Sequence, residues 1–158
     1  MSEFFEPDFS EAPEREPAPD GPYTMLVRGN PKLCRSKAGN PYLSWELEHT
    51  NPDHKRHGLI FERTVMSGRG AFRLRDIMKA FGYSEADAKT LRVKPMGELT
   101  AINAKEGVAT DLIVSGQAWA PAGQTIDVTV ATEEGQEGGP ARNKVARFLA
   151  PKDSPTSA

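Results

Sequence analysis

Cysteine is nearly absent from this chain, and long apolar runs are absent altogether. Cys34 is the only cysteine among 158 residues, which excludes an intrachain disulfide and any zinc site built on paired cysteines. No stretch reaches the roughly 18 apolar residues of a membrane span. The beginning of the chain is acidic, whereas a secretory signal starts basic and then turns apolar. We therefore expect a soluble, cytoplasmic protein.

Signatures of catalytic and metal sites are also missing. The serines lie outside any nucleophile-elbow context, and the turn at Gly68–Gly70 is too short for a phosphate-binding loop with its lysine. Glu46, Glu48 and His49 are residue types of a metal-dependent nuclease, but on a regular strand His49 faces away from both carboxylates. All three histidines lie in or beside one polar loop, which favours a solvated loop over a metal site. We predict neither enzymatic activity nor a cofactor.

Net charge is small but unevenly distributed. The formal net charge is −2, yet residues 1–20 carry seven acidic side chains and one basic one. Between Arg28 and Lys94 there are fourteen Lys or Arg against seven Asp or Glu. A basic body with an acidic arm predicts a polyanionic partner and a segment that tempers access to it. An arm that only maintains solubility explains the same composition.

Residues 1–22 are predicted to form a disordered acidic arm. The segment is rich in Pro, Glu and Asp and has almost no branched aliphatic residue, so it buries too little apolar surface to offset the entropy of ordering. Phe4, Phe5 and Phe9 stand among its acids, as in a short docking motif or a segment that mimics nucleic acid. Docking to other proteins, occlusion of the body's own groove and an inert tail are all open interpretations.

The first two predicted strands are Tyr23–Arg28 and Tyr42–His49, with a basic segment and a Gly-Asn-Pro turn between them. Polar and apolar residues alternate along the second strand. One face is polar apart from Tyr42, and the other carries Leu43, Trp45 and Leu47. We therefore predict a core position for Trp45 and an exposed ring for Tyr42.

The third predicted strand, Leu59–Met66, has two faces of mixed character. Phe61 and Arg63 share one face, while Ile60 and Glu62 share the other. The pattern leaves open which of these faces is buried.

The period then changes from 2 to 3.6 at the glycine turn, which predicts a helix over Ala71–Phe81. Its apolar stripe consists of Leu74, Ile77, Met78 and Phe81. Phe72 lies across the helix from this stripe. A second short helix is predicted after Ser84, whose hydroxyl can cap the turn at Asp87, through about Leu91.

The remainder of the body is less regular. Residues 92–110 show no strong period and predict an irregular connection, with one short strand near Leu99–Ile102. Further strands are predicted at Asp111–Ala118, Thr125–Ala131 and Asn143–Leu149. Val145 and Phe148 are three residues apart, so they cannot share a strand face unless a bulge intervenes.

This element order predicts a mainly β fold. Three strands, a helix and two or three further strands are the order of an OB-fold, a small, partly open Greek-key barrel with a helix between its third and fourth strands. Other small barrels and sandwiches share the order. We predict a five- to six-stranded Greek-key barrel over residues 23–150, preceded by the arm (1–22) and followed by a flexible tail (151–158).

Three segments resemble a known family. They are SKAGNPYLSWELE, RTVMSGRGAFRLRDIMKAFG and RNKVARFLAP, in this order. Over residues 21–151 the chain resembles the OB-fold single-stranded DNA-binding proteins of tailed bacteriophages and prophages. Its most specific parts are the turn at Lys37–Pro41, the glycine turn, and Arg142 with Asn143.

The resemblance implies sequence-tolerant binding and protection of single-stranded DNA in phage replication or recombination, in the host cytoplasm and without catalysis. Replication or recombination proteins would be further partners through the acidic arm. Binding and annealing, DNA and RNA, and monomer, dimer and tetramer all stay open.

Such binding needs cations for phosphates and rings on which bases stack. Predicted phosphate contacts are Lys37, Arg63, Arg69, Arg73, Arg75, Arg142 and Lys144; Arg69 also lies in a helix-start turn that offers free backbone N–H groups. Predicted stacking rings are Tyr42, Phe72 and Trp119. Arg73 and Arg75 equally fit a solvated helix face, and Trp119 equally fits a plug at the barrel end.

A protein-interaction barrel, such as a phage structural or adaptor subunit, is the alternative function. It would account for the docking-like arm but leave the basic stretch without a role. Steep salt dependence of binding to single-stranded DNA distinguishes the two, because counterion release accompanies only the first.

Overall fold

The computed structural model describes residues 17–68, 71–134 and 141–151, and within them the chain is mainly β. Most of the predicted arm and tail, and Arg69, lie outside these residues. The strands are β1 (Gly21–Val27), β2 (Lys32–Arg35), β3 (Pro41–His49), β4 (Ile60–Val65), β5 (Arg92–Pro95), β6 (Thr110–Val114), β7 (Gln117–Trp119), β8 (Thr125–Glu133) and β9 (Arg142–Leu149). The helices are a 3₁₀ helix (Pro52–His57), α1 (Ala71–Ala80) and α2 (Glu85–Ala88). Among the described residues, no helix has the length and apolar character needed to cross a membrane.

The strands form two antiparallel sheets. The larger has six strands in the order β2-β3-β1-β8-β9, with β4 paired to β3, and the smaller has the order β5-β6-β7. Strands β4 and β9 lie side by side beneath α1, but in the described part of the chain no hydrogen-bond ladder joins them. The larger sheet is therefore curled but not closed into a barrel.

The hydrophobic core lies between the curled sheet and α1, as the periodicity predicts. On β3 the buried residues are Leu43, Trp45 and Leu47, and on α1 they are Leu74, Ile77 and Met78. Phe81, just after α1, packs against this core while partly exposed. The core position of Trp45 and the apolar stripe of α1 are thus confirmed. The predicted cap of α2 is also confirmed, because the Ser84 side chain accepts a hydrogen bond from Asp87 N at 3.1 Å.

Strand β4 turns its more polar face inward. Ile60, Glu62 and Thr64 are buried, whereas Phe61 and Arg63 are exposed. The two buried polar groups have partners: Trp45 Nε1 donates to Thr64 Oγ1 at 2.9 Å, and an arginine of α1 donates to Glu62. A buried polar group is tolerated when it is hydrogen-bonded, so this face can lie in the core.

Strand β9 contains a bulge. Its register against β8 shifts between Thr129 and Val130, so that Ala146 is the extra residue. Val145 and Phe148 are therefore both buried, although they stand three residues apart.

The sequence predictions are wrong about the short strands. The basic segment after β1 contains β2, which pairs with β3. The segment 92–110 begins with β5, and residues 101–106 are turns instead of the predicted strand near Leu99–Ile102. The strand predicted at Asp111–Ala118 is a hairpin, β6-β7. Its turn residues Ser115 and Gly116 have φ of 49° and 76°, as a two-residue type I′ turn requires.

The segment just before β1 is fixed to β9. Ala18 N donates to Asn143 Oδ1 at 2.7 Å, and Asn143 Nδ2 donates to Ala18 O at 3.0 Å. Tyr23 donates its hydroxyl to Pro19 O at 2.6 Å. The described chain is therefore anchored beside Asn143 at Ala18, and β1 begins at Gly21, inside the predicted arm.

Candidate nucleic-acid interface

The outer face of β4 combines an exposed ring with a cation. Phe61 is 64% exposed, and Arg63, two residues further on the same face, is also exposed. Phe61 lies opposite Glu46 and Arg63 opposite Ser44 across the β3–β4 ladder. A large exposed aromatic ring beside a cation is the pairing that single-strand binding uses for base and phosphate.

Tyr42 does not supply an exposed ring on this face, so that prediction is wrong. Its side chain is 6% exposed, with the Arg63 guanidinium 5.3 Å from its ring centroid. Strand β2 brings Cys34 opposite Tyr42. Gly107 in turn packs against Cys34, because a Cβ at Gly107 would lie 2.5 Å from Cys34 Sγ. Burial raises the pKa of the Tyr42 hydroxyl. Tyr42 instead supports Arg63 from beneath.

A second ring and cation pair lies on α1. Phe72 is 55% exposed, as its position opposite the apolar stripe predicts, and the Arg75 guanidinium lies 4.7 Å from its ring centroid. Arg75 Nη1 also donates to Glu85 Oε1 at 3.2 Å. A solvent-exposed ion pair of this kind contributes only about 0–1 kcal/mol, so a phosphate can replace Glu85 at little cost.

Arg73, by contrast, is bound to a buried carboxylate, although 35% of its own side chain is accessible. Its guanidinium donates to Glu62 Oε1 from Nε at 2.8 Å and to Val145 O from Nη2 at 3.0 Å, and lies 4.8 Å from the Phe148 ring centroid. Burial raises the pKa of Glu62, while the hydrogen bond and charge of Arg73 lower it. Arg73 thus bridges β4 and β9 across the seam where they do not pair. The prediction that Arg73 faces a phosphate, like the alternative of a solvated helix face, does not fit this geometry.

Trp119 is a core residue, which corrects its prediction as an exposed platform and agrees with the alternative of a plug. It is 4% exposed. Its ring centroid lies 5.2 Å from that of Phe81 and 5.3 Å from that of Tyr83, both edge to face. Because these rings surround the indole, no base can stack on it.

The remaining predicted phosphate contacts occupy two surface positions. Lys37 is exposed in the β2–β3 turn, where Gly39 N donates to Ser36 O at 2.9 Å. Arg142 and Lys144 are exposed on β9, on either side of the Asn143 that holds Ala18. These three side chains are accessible to a polyanion.

A groove of about 460 Å³ runs between α1 and α2, next to Phe72. Its lining includes four buried or partly buried apolar residues, Met66, Leu74, Met78 and Leu91. Arg75, Glu85 and Lys89 add charged groups. The volume lies within the roughly 300–1,000 Å³ typical of ligand pockets.

The three histidines are brought together, although the loop was predicted to be solvated. The ring centroids of His49, His54 and His57 lie 5.7–5.9 Å apart. His49 is buried and faces inward, away from Glu46 and Glu48, as predicted. Burial, and then the two neighbouring imidazoles, lower its pKa. Within the described residues, no group of three or more His, Cys, Asp or Glu side chains is arranged to hold a metal ion.

Phe61 is the residue that sequence reasoning missed. The alternation of β4 separates it from Ile60 but does not say which of them is buried. The signal that identifies its face lies on α1, where Arg73 supplies the partner that allows Glu62 to be buried.

No family model matches the chain, and no curated protein matches it significantly.

Proposed function

We propose that this protein binds single-stranded DNA without sequence preference. The observation that carries the proposal is the exposed ring of Phe61, 64% accessible beside Arg63 on the outer face of β4. Phe72 with Arg75 on α1 repeats the same combination. Each base that stacks on such a ring contributes about 1 to 3 kcal/mol, and every base has a stacking face, so the binding tolerates sequence.

The proposed fold is an OB-fold of Greek-key topology, open along one seam. The strand order supports it. β1 lies between β3 and β8, β4 and β9 follow at the two ends, and α1 comes after β4 in the chain. Bringing β4 and β9 together would close the ring β1-β3-β4-β9-β8. In an OB-fold, the faces of the second and third strands bind nucleic acid, and β3 and β4 take those positions here.

In the proposed mechanism the strand's phosphates contact exposed cations while its bases stack on rings. The available cations are Lys37, Arg63, Arg142 and Lys144, which are exposed, and Arg75, which is partly exposed. Each phosphate that a cation neutralises releases counterions, which makes the affinity depend on salt. No step of this mechanism breaks or forms a covalent bond. The biological setting we propose is phage DNA replication or recombination.

One observation favours the alternative of a protein-interaction module. Ile102 is 97% exposed and Met96 is 61% exposed, and both lie in the segment between β5 and β6. Two large exposed apolar side chains in one short segment are consistent with a surface that binds another protein. This surface carries neither of the ring and cation pairs, so the two functions can be tested separately.

The test is fluorescence anisotropy of labelled oligo-dT, duplex DNA and oligo-U, each titrated at two salt concentrations. We expect oligo-dT to bind most tightly and to weaken steeply as salt rises. Phe61→Ala should reduce the affinity for oligo-dT by roughly 5- to 150-fold, the range that stacking of one base predicts, with thermal stability nearly unchanged because the ring is exposed.

Ile102→Ala is the matched control, because it removes an exposed apolar side chain away from the proposed interface. It should leave DNA binding unchanged. Absence of oligo-dT binding at low salt would overturn the proposed function and direct attention to the Ile102 surface. Equal losses in the Phe61 and Ile102 variants would overturn the assignment of β4 as the interface.

A further inference from the structure

The groove between α1 and α2 has the chemistry of a docking site for aromatic side chains flanked by acids. Met66, Leu74, Met78 and Leu91 give it an apolar lining. Arg75 and Lys89 add two cations against the single carboxylate of Glu85, which Arg75 already contacts at 3.2 Å. The groove therefore favours a ligand that is apolar and negatively charged.

The first residues of this chain have that composition. Phe4, Phe5 and Phe9 are interspersed with Glu3, Glu6 and Asp8. Residues 1–20 hold seven acids against one base, so the segment and the rest of the chain have opposite net charges.

The described chain begins close to α1. Ala18 is bound to Asn143, and Val145 follows about 7 Å along β9 at the spacing of two strand residues. Val145 O accepts a hydrogen bond from Arg73, the neighbour of Phe72 on α1. Ala18 is thus anchored beside the strand that contacts α1.

The connecting chain is long enough to reach. Twelve residues lie between Phe5 and Ala18, and the thirteen steps from Phe5 to Ala18 can span up to about 45 Å when extended, while the whole of α1 is about 15 Å long. A short tether also holds a ligand at an effective concentration in the millimolar range, so even weak contacts suffice for occupancy.

We infer that residues 3–9 of this chain dock in its own α1–α2 groove, with Phe4 and Phe5 on the apolar lining and the adjacent carboxylates facing Arg75 and Lys89. The docked segment covers Phe72 and Arg75. If these two residues bind DNA, as the proposed function holds, the segment competes with the strand for part of its site.

Paramagnetic relaxation enhancement on the full chain tests the docking directly. A nitroxide is attached at Ser2→Cys; the native Cys34 is fully buried and its thiol pKa is raised, mainly by burial, so it labels poorly. Methyl signals of Met66, Leu74, Met78 and Leu91 should lose intensity in the oxidised label relative to the reduced one. Phe4→Ser with Phe5→Ser should restore them. Unchanged methyl intensities in the labelled chain would overturn the inference.

A matched pair of groove variants tests it from the other side. Lys89 lines the groove and is exposed just after α2, so either charge fits there without disturbing the core. Lys89→Glu should abolish the intensity loss by repelling the acids, and Lys89→Arg should preserve it. Equal effects of both variants would contradict docking by charge and apolar contact together.

Two further measurements separate the possible failures. In a mixture of nitroxide-bearing chains and separate isotope-labelled chains, intensity loss would assign the docking to a neighbouring copy and overturn the intrachain form. In the anisotropy assay, the Phe4→Ser, Phe5→Ser chain should bind oligo-dT more tightly than the natural chain. Docking without any DNA binding in either protein would refute the proposed function and leave the docking intact.

Discussion

Two arginines on α1, two residues apart, are equally accessible, at 35% and 34% of their side chains, but their carboxylate partners differ in burial. Arg73 touches Glu62, a backbone carbonyl and the Phe148 ring at the seam between β4 and β9. Arg75 touches Glu85 and the Phe72 ring at the surface. At the seam the carboxylate is buried, and at the surface both the carboxylate and the ring are exposed.

The difference shows that the burial of the carboxylate, more than the set of contacts, decides whether such an arginine is needed for stability or available for binding. A buried carboxylate cannot exchange its partner for water, so Arg73 is required where it is. An exposed carboxylate is solvated with or without its partner, so Arg75 remains available for a phosphate. The seam is therefore structural, and the surface pair is a candidate for binding.

The largest expected effect is the loss of stability when Arg73 is replaced. Arg73→Met should cost about 3 kcal/mol, the lower end for a broken buried pair, since Arg73 keeps 35% of its side chain accessible. Arg75→Met should cost less than about 1 kcal/mol. Urea denaturation of both variants measures the contrast. Similar losses in the two proteins would remove the distinction between seam and surface.

The second prediction concerns pH and tests why Arg73 is needed. Burial raises the pKa of Glu62 above its usual 4.5, and loss of Arg73 raises it further. A carboxyl whose folded-state pKa is raised binds its proton more tightly when folded. Its contribution to stability is therefore full below the unfolded pKa and is lost as pH rises through the folded one.

The penalty of Arg73→Met should consequently shrink as pH falls from 7 towards 4.5, by at most about 1.4 kcal/mol per pH unit. Urea denaturation at a series of pH values measures it. His49, whose pKa is lowered, destabilises both proteins equally below pH 6.5 and cancels in the difference. The control is Glu62→Gln combined with Arg73→Met, which should show no such change. A penalty independent of pH would mean that the charge of Glu62 is not the reason Arg73 is required.

The smallest expected effect belongs to the surface pair and depends on the proposed function. Arg75→Gln should weaken oligo-dT binding only a few-fold and reduce the slope of log K against log salt by roughly 0.7 to 1, as loss of one phosphate contact predicts. Arg75→Lys keeps the charge and should keep the slope. An unchanged slope in Arg75→Gln would exclude Arg75 from the interface.

The long periodic elements could be predicted from the sequence because their patterns are local. β3, β8 and α1 each show their own period over seven or more residues, and each forms close to the expected bounds. β2, β5 and β7 have only three or four residues each, which is too few for a period to be visible. They exist because neighbouring strands supply their hydrogen bonds.

The residues of the candidate site likewise divide into those that a local pattern predicts and those that it does not. The exposure of Phe72 follows from the helical period alone. The burial of Tyr42 depends on β2, which carries Cys34 opposite it, and the exposure of Phe61 depends on the partner that Arg73 gives to Glu62. Both depend on contacts between elements distant in sequence, which no local pattern encodes.

The bulge in β9 changes which residues of the strand share a face. In a regular strand, residues three apart fall on opposite faces, so Lys144 and Arg147 would be separated, as would Val145 and Phe148. The extra residue Ala146 restores both pairs, cations outside and apolar side chains inside. With Ala146 deleted, each pair would stand two residues apart, and a regular strand would place its side chains on the same faces as now. The bulge therefore lets β9 carry one residue more than its alternation allows and still keep a basic side.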